Sequence, residues 1–206
     1  LESQGFFMEI FNDIKQKPRG GLLSSVFLLS IFLTANGVYA VFERFEESYH
    51  VNIFRGFFPQ YLFSIFVAIL LGFLFLFSVA IFVFFELYFI QNLSELSSKI
   101  DWIRYGQLIL YILATYISVA ILYYFGTIEG KKARFFSPGA IMTTILIAMT
   151  TKLFGIYITY FSSYNQLYGS IGAILILMFY IWLNSIILLL GFELNATLTR
   201  FKKRDK

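Results

Sequence analysis

The chain has 206 residues, of which 59% are hydrophobic, 21% aromatic and only 14% charged. Soluble domains carry about 25% charged and about 45–50% apolar residues, so a chain with a mean hydropathy of +0.76 has too few polar residues to cover a water-soluble globule. This composition excludes an ordinary soluble enzyme and a disordered chain, and the absence of cysteine excludes a disulfide-stapled scaffold.

Five apolar stretches are long enough to cross a bilayer as helices, which takes roughly 20 residues for a hydrocarbon core of about 30 Å. They lie at about 20–42, 61–90, 106–125, 138–162 and 171–196. Lipid offers no hydrogen-bond partners to the backbone and the stretches lack the alternation of barrel strands, so each is predicted to be a helix. The predicted fold is an all-α, polytopic transmembrane helix bundle that forms one membrane domain.

Lysine and arginine concentrate on one side of the predicted bundle, in the basic tail 197–206 and the loop 127–136. The positive-inside rule places this side, and with it the C-terminus, in the cytoplasm. Residue Leu1 is then outside, and the amphipathic segment 1–19 is predicted to lie on the outer membrane surface. An odd number of spans also favours a further span upstream of Leu1.

Short motifs along the chain carry a resemblance to a known family. They are Arg19 to Ser24, Asn36-Gly37-Val38, Tyr49 and Val51, Pro138-Gly139-Ala140, Tyr164-Asn165, Tyr168-Gly169-Ser170, Gly191, and Glu193-Leu194-Asn195-Ala196. On these residues the chain resembles the YihY/BrkB family of bacterial membrane proteins, formerly named ribonuclease BN. The resemblance implies six helices, both termini in the cytoplasm, the inner membrane, and an envelope role such as lipid or solute export. It supplies no catalytic site, and Phe192 stands where the family usually has alanine.

Lys152 is the most unusual residue of the predicted spans, because it lies about 20 Å into the fourth one, near the bilayer centre. Ionisable groups at such depth normally face the bundle interior or a wet cavity. We therefore expect Lys152 to line a polar cavity between helices, with Asn36 or Asn184 as neighbours. The alternative is a lysine that extends along its stem to the headgroups or is paired structurally.

Other polar and small residues favour helix packing. Asparagines within apolar helices usually form interhelical hydrogen bonds, and Asn195 is assigned to this structural class together with Glu193, for which Arg200 or the loop 131–134 is the expected partner. Ser137 followed by Pro138 predicts the N-cap and first position of the fourth helix. Residues with small side chains also recur along one face of that helix: Ala140, Thr144, Ala148, Thr151 and Gly155.

The outer segment 163–172 contains no charge and is flanked by tyrosines. One interpretation is an aromatic belt at the headgroups with a tight turn that glycine permits at Gly169. The other is a gate or a headgroup-contact site that includes Tyr164 and Asn165.

An enzyme is the disfavoured class. Hydrolysis of phosphodiesters needs acid–base groups or metal ligands gathered at one place, whereas the chain has a single histidine, His50. On a helix, Glu43, Glu46 and Glu47 would share a face with it, but a solvated acidic helix end is the preferred interpretation. We expect no metal, cofactor or nucleic acid. The expected function is transport or lipid handling with membrane lipids, an anionic lipid or a small solute as partner; a non-catalytic scaffold is the alternative, and a homo-oligomer is left open.

Overall fold

The computed structural model of the protein describes residues 20–47, 56–92, 99–126, 136–161 and 165–204. These ranges hold five α-helices: α1 (Gly20–Glu46), α2 (Phe57–Asn92), α3 (Lys99–Gly126), α4 (Pro138–Phe161) and α5 (Asn165–Arg204). Every one of them is long and apolar enough to cross a membrane. The predicted class of fold and the number of spans are therefore confirmed, while the predicted amphipathic segment 1–19 lies outside the described residues.

Two helices are much longer than a bilayer core is thick. The 40 residues of α5 and the 36 residues of α2 correspond to about 60 Å and about 54 Å at 1.5 Å per residue. Such helices tilt or extend beyond a hydrocarbon core of about 30 Å.

The turn predicted for residues 163–172 is wrong from Asn165 onward, because α5 begins there and Gly169 lies within it. A glycine inside a helix costs about 1 kcal/mol relative to alanine. A backbone group left without a hydrogen bond in lipid costs several kcal/mol, which is more than the cost of the glycine. The helix therefore continues through Gly169.

The helices pack in the order of the chain. The most extensive contacts join α1 with α2 and α4 with α5, and α3 packs against both α2 and α4. Smaller contacts join α1 to α3 and to α5. Because α4 and α5 run in opposite directions, the start of α4 lies beside the last third of α5, as the bond from Gly139 to Asn195 demonstrates.

Burial is confined to one end of the bundle. All buried side chains of the described residues lie in a set of short segments that we call the packed end: 35–46 of α1, 60–68 of α2, 119–126 of α3, 137–144 of α4 and 187–195 of α5. A second set of segments, toward the opposite end of the helices, forms what we call the open half: 24–34, 69–84, 105–118, 145–159 and 174–186. None of the side chains described in the open half is buried, and large apolar residues such as Phe27, Phe73 and Leu175 are exposed there.

Candidate functional site

Two glycines set the contact between α4 and α5 at the packed end. A Cβ atom built on Gly139 would lie 2.0 Å from the carbonyl oxygen of Gly191, and one built on Gly191 would lie 1.8 Å from Thr143 Oγ1. Real Cβ atoms do not approach other atoms this closely, so only glycine fits at either position. The two backbones are therefore in direct contact, as small residues allow in membrane helices.

Asn195 locks this contact with hydrogen bonds. Its Oδ1 accepts from the Gly139 backbone N–H at 2.7 Å, and its Nδ2 donates to Ser137 Oγ at 2.9 Å. Ser137 Oγ also accepts from the Ala140 N–H at 3.4 Å, so Ser137 caps α4, which begins at Pro138 as predicted. The interhelical hydrogen bonds expected of a buried asparagine are present at Asn195, and they satisfy a helix-start N–H that has no partner within its own helix.

Tyr123 of α3 joins the same junction from a third helix. Its hydroxyl donates to the Leu188 carbonyl oxygen at 2.7 Å and lies 2.6 Å from Thr143 Oγ1. A tyrosine hydroxyl has one hydrogen, which is used at Leu188, so the Thr143 hydroxyl is the donor in the second bond. Three helices thus share one buried polar link.

Aromatic packing connects α1 to the junction. The rings of Phe45 and Phe192 stack with centroids 4.2 Å apart, and the edge of Tyr123 meets Phe45 at 5.7 Å. Phe192 therefore faces α1 whereas its neighbour Gly191 faces α4. The bulk that Phe192 adds, relative to the family's usual alanine, fills the α1 side and leaves the close contact of α4 with α5 intact.

The acidic end of α1 divides into one buried and two exposed carboxylates. With the Gln60 amide oriented to satisfy both neighbours, its nitrogen donates to Glu46 Oε2 at 3.1 Å and its oxygen accepts from the Glu43 N–H at 3.3 Å. Glu43 and Glu47 are exposed, and Glu47 forms an ion pair with Arg44 at 2.5 Å.

The interpretation as a solvated helix end is therefore wrong for Glu46, because its side chain packs against α2. The common face that was predicted to include His50 extends beyond the described residues. Within the part of the chain that the structure describes, no group of three metal-ligating side chains is present.

A cluster of three hydroxyl groups links helices in the open half. Thr151 Oγ1 of α4 donates to the Ile147 carbonyl oxygen at 2.8 Å and accepts from the Tyr111 hydroxyl of α3 at 3.0 Å. The Tyr180 hydroxyl of α5 lies 2.8 Å from the same oxygen. Because threonine has one hydrogen and it is used at Ile147, Tyr180 must also donate to Thr151. We call Tyr111, Thr151 and Tyr180 the hydroxyl cluster.

Two clefts open from the bundle surface, and each is lined by one tyrosine of this cluster. One, of about 550 Å³, lies between α2 and α3, and Tyr111 is among its lining residues. The other, of about 520 Å³, lies between α4 and α5, and Tyr180 is among its lining residues. Most of the remaining lining is apolar or aromatic, for example Leu74 and Phe82 in the first cleft and Phe154 in the second.

Among the described residues, the structure does not bring Lys152 together with Asn36 or Asn184 at a cavity between helices. Lys152 and Asn36 are both exposed, and no hydrogen bond or ion pair joins Lys152 to another described residue. The depth of a residue follows from its place in the sequence, but the face follows from its rotation about the helix axis. Thr151 points toward α3 and α5, so Lys152, about 100° further round the helix, points away from them.

Asn184 is half-buried and bonds within its own helix. Its Nδ2 donates to the Tyr180 carbonyl oxygen at 2.8 Å, and its buried Oδ1 has no hydrogen-bond partner among the described residues. The expected interhelical bond of Asn184 is therefore not formed.

The structure also locates several of the other residues that the sequence predicts for the site or for helix packing. Glu193 is half-buried on α5, its expected partner loop 131–134 is outside the described residues, and Tyr164 is also outside them. Asn165 is the first residue of α5, and Pro138 is exposed at the start of α4. Along the predicted small-residue face, Ala140 and Thr144 are buried, whereas Gly155 is exposed with open space around it.

Sequence reasoning missed the tyrosines that carry the interhelical bonds: Tyr111, Tyr123 and Tyr180. A tyrosine in an apolar helix is usually interpreted as part of the aromatic belt at the membrane–water interface. For Tyr180 a signal is its distance from the ends of its span, Ile174–Phe201, whereas Tyr123 lies only three residues from the end of Tyr105–Gly126 and carries no such signal.

Comparison with known proteins gives one family and several relatives. The family described as Virulence factor BrkB matches residues 2–206. The ribonuclease-like protein YfkH of Bacillus subtilis is 31% identical over 194 residues, which is 89% of this chain and 68% of that protein. A UPF0761 membrane protein of Pseudoalteromonas translucida is 42% identical over 62 residues, 30% of this chain and 21% of the relative. Another, of Vibrio vulnificus, is 32% identical over 112 residues and is covered over only 36% of its length. No solved structure matches the chain.

Proposed function

The chain belongs to the BrkB family of membrane proteins, and from this premise we propose that it is a multipass protein of the bacterial cytoplasmic membrane that moves or exports lipids. The resemblance of the sequence to the YihY/BrkB family is thereby confirmed. The name of YfkH describes that relative as ribonuclease-like, and the UPF0761 relatives are named only as membrane proteins.

The observation that carries the proposal is the contrast between the packed end and the open half. At the packed end Gly139, Gly191 and Asn195 hold α4 against α5 without space between them. In the open half the helices separate into two clefts of about 550 and about 520 Å³ that open onto the lateral surface. A bundle that is closed at one end and open sideways at the other admits molecules from within the bilayer.

The lining of the clefts favours a lipid over a water-soluble solute. A solute pathway needs polar groups that replace the hydration of its cargo, whereas both clefts are lined mainly by apolar and aromatic side chains. Lys152 and Asn184 are the candidate residues along the lipid pathway. Lys152 is exposed in the open half, where a passing anionic headgroup would meet its charge.

Purified protein in liposomes tests the proposal. Vesicles contain a fluorescent phospholipid, and dithionite added outside bleaches only the outer leaflet. We expect the bleached fraction to rise from about half toward completion as the number of proteins per vesicle increases, because inner lipids reach the outer leaflet. A plateau at half for every protein-to-lipid ratio contradicts lipid movement, and flux of a small polar solute in the same vesicles would instead support solute transport.

We further propose that the packed end lies at the cytoplasmic face, since the basic loop 127–136 follows α3 at that end and the basic residues after 196 include the last turns of α5 beyond it. The chain has no cysteine, so a single Lys132→Cys substitution gives a clean label site. We expect a membrane-impermeant maleimide to label it only after the cells are opened. Labelling in intact cells contradicts the orientation.

A scaffold or assembly partner is the second candidate function, and the exposure of Asn36 favours it. Polar side chains within membrane spans usually face protein, and Asn36 is exposed on α1. An Asn36→Cys variant of this cysteine-free chain is expected to form a disulfide-linked dimer in membranes if α1 contacts a second copy. A monomer under oxidising conditions contradicts that contact.

We expect no ribonuclease activity from the purified protein. Metal-dependent hydrolysis of RNA needs a gathered set of ligands or acid–base groups, and the described residues hold no such group of three. Activity that survives stringent purification and disappears in a Glu47→Gln or His50→Ala variant would overturn this expectation.

A further inference from the structure

We infer that the hydroxyl cluster and the two clefts beside it form one binding site for a neutral two-chain glycerolipid with a free hydroxyl group. One acyl chain occupies each cleft, and the lipid's hydroxyl group bonds to the cluster. This inference rests on the proposed role in lipid movement and names the class of lipid that the two clefts bind, whose lining does not include Lys152.

The hydroxyl cluster contributes one tyrosine to the lining of each cleft. Tyr111 lines the cleft between α2 and α3, Tyr180 lines the cleft between α4 and α5, and their hydroxyls meet on the oxygen of Thr151. The polar cluster therefore borders two mainly apolar spaces. A glycerolipid has the same plan, with a polar glycerol between two apolar chains.

The two clefts are similar in size. Their volumes of about 550 and about 520 Å³ are nearly equal, and each falls in the range of about 300–1,000 Å³ that is usual for ligand pockets. Two chains of similar length would fill both, whereas an amphiphile with one chain would leave one cleft empty.

Hydrogen bonding and charge at the clefts favour a neutral ligand that donates a hydrogen bond. The hydrogens of the cluster are all used internally, since Thr151 donates to Ile147 and both tyrosines donate to Thr151. The tyrosine oxygens keep acceptor capacity, so a ligand that brings a hydroxyl donor binds without breaking a bond in the cluster. The residues that line the clefts include no lysine, arginine, aspartate or glutamate, which favours a neutral polar group over an ionic one.

Lipid binding to the purified full chain in detergent, measured by native mass spectrometry, tests the site with three probes. They are dioleoylglycerol, its 3-O-methyl ether, and monooleoylglycerol. We expect dioleoylglycerol to bind at least about fivefold more tightly than either of the others, because the ether lacks the donor and the third probe lacks one chain. Equal binding of dioleoylglycerol and either comparison lipid overturns the inference.

Three tryptophan variants locate the site. Ala114→Trp fills the cleft between α2 and α3, Ile176→Trp fills the cleft between α4 and α5, and Leu33→Trp is the control on the exposed surface of α1, outside both clefts. Each cleft variant is expected to weaken dioleoylglycerol binding about tenfold while Leu33→Trp binds as the wild type does. Cleft variants that fold and bind dioleoylglycerol as the control does contradict the site. If a cleft variant does not fold, the comparison of the three probes on the wild-type protein still tests the site.

The result of the lipid-binding experiments can be distinguished from the result of the liposome assay that tests the proposed function. If dioleoylglycerol binds as expected but the liposomes show no lipid movement, the site stands and the proposed function fails. If lipids move but the three probes bind equally, the function stands and the site fails.

Discussion

The packed end and the open half belong to the same five apolar helices, yet among the described residues only the packed end contains buried side chains. Lipid tails are as apolar as leucine, so hydrophobicity does not bring membrane helices together. Where the chain supplies glycines in register and side chains that bond across helices, as at Gly139, Gly191 and Asn195, the helices close. Where it supplies large apolar residues, as around Phe73 and Leu175, these side chains remain exposed to the bilayer.

The largest expected difference in stability is between substitutions of a glycine in the packed end and a glycine in the open half. Gly191→Ala is expected to lower the free energy of unfolding by about 1–3 kcal/mol, because its Cβ would lie 1.8 Å from Thr143 Oγ1. Gly155→Ala meets nothing within 4 Å and should leave stability unchanged or raise it by up to about 1 kcal/mol. Unfolding by SDS measures both, and equal shifts would contradict the contrast.

The second effect compares two asparagines. Asn195→Ala removes two interhelical hydrogen bonds and leaves the Gly139 N–H without a partner, which should cost about 1–3 kcal/mol. Asn36 is exposed, so Asn36→Ala should change the stability of the purified monomer by less than about 0.5 kcal/mol. The same SDS titration applies, and a loss at position 36 as large as that at 195 would contradict the assignment.

The third effect concerns the hydroxyl cluster, the interhelical polar link described in the open half. Thr151→Val keeps the shape of the side chain but removes the oxygen that Tyr111 and Tyr180 share, which should cost about 1 kcal/mol. The matched control is Thr34→Val, since among the described residues the Thr34 hydroxyl bonds only to the Ser30 carbonyl of its own helix. Identical midpoints of unfolding for the two variants would show that the cluster contributes nothing.

The smallest expected effect on stability is at Lys152. Because the side chain is exposed, Lys152→Met should change the unfolding free energy by less than about 0.5 kcal/mol. If the charge serves as a pathway residue, the same variant should move fluorescent lipid more slowly in liposomes than Ile145→Met, a control at another exposed position of α4. Unchanged lipid movement by Lys152→Met would remove Lys152 from the proposed pathway.

The sequence predicts some of these features and not others, for physical reasons. The spans and the start of α4 at Pro138 follow from runs of apolar residues and from helix-capping chemistry, which are local. The exposed position of Lys152 does not follow from the sequence. The depth of a residue in the membrane depends on its own helix alone, whereas the direction of its side chain relative to the bundle depends on how that helix packs against others. The cluster of Tyr111, Thr151 and Tyr180 is likewise unpredictable from one chain position, since it combines residues of three helices.

The central claim, that one end of the bundle is packed and the other is open to the bilayer, is tested most directly by carbene footprinting. A diazirine that partitions into the hydrocarbon is photolysed in liposomes containing the unmodified protein, and labelled residues are read by mass spectrometry. We expect strong labelling of Phe73, Leu175 and Trp182 in the open half, and little or none of Phe42 and Phe192. Equal labelling of the two sets, or protection of the open half, would contradict the account.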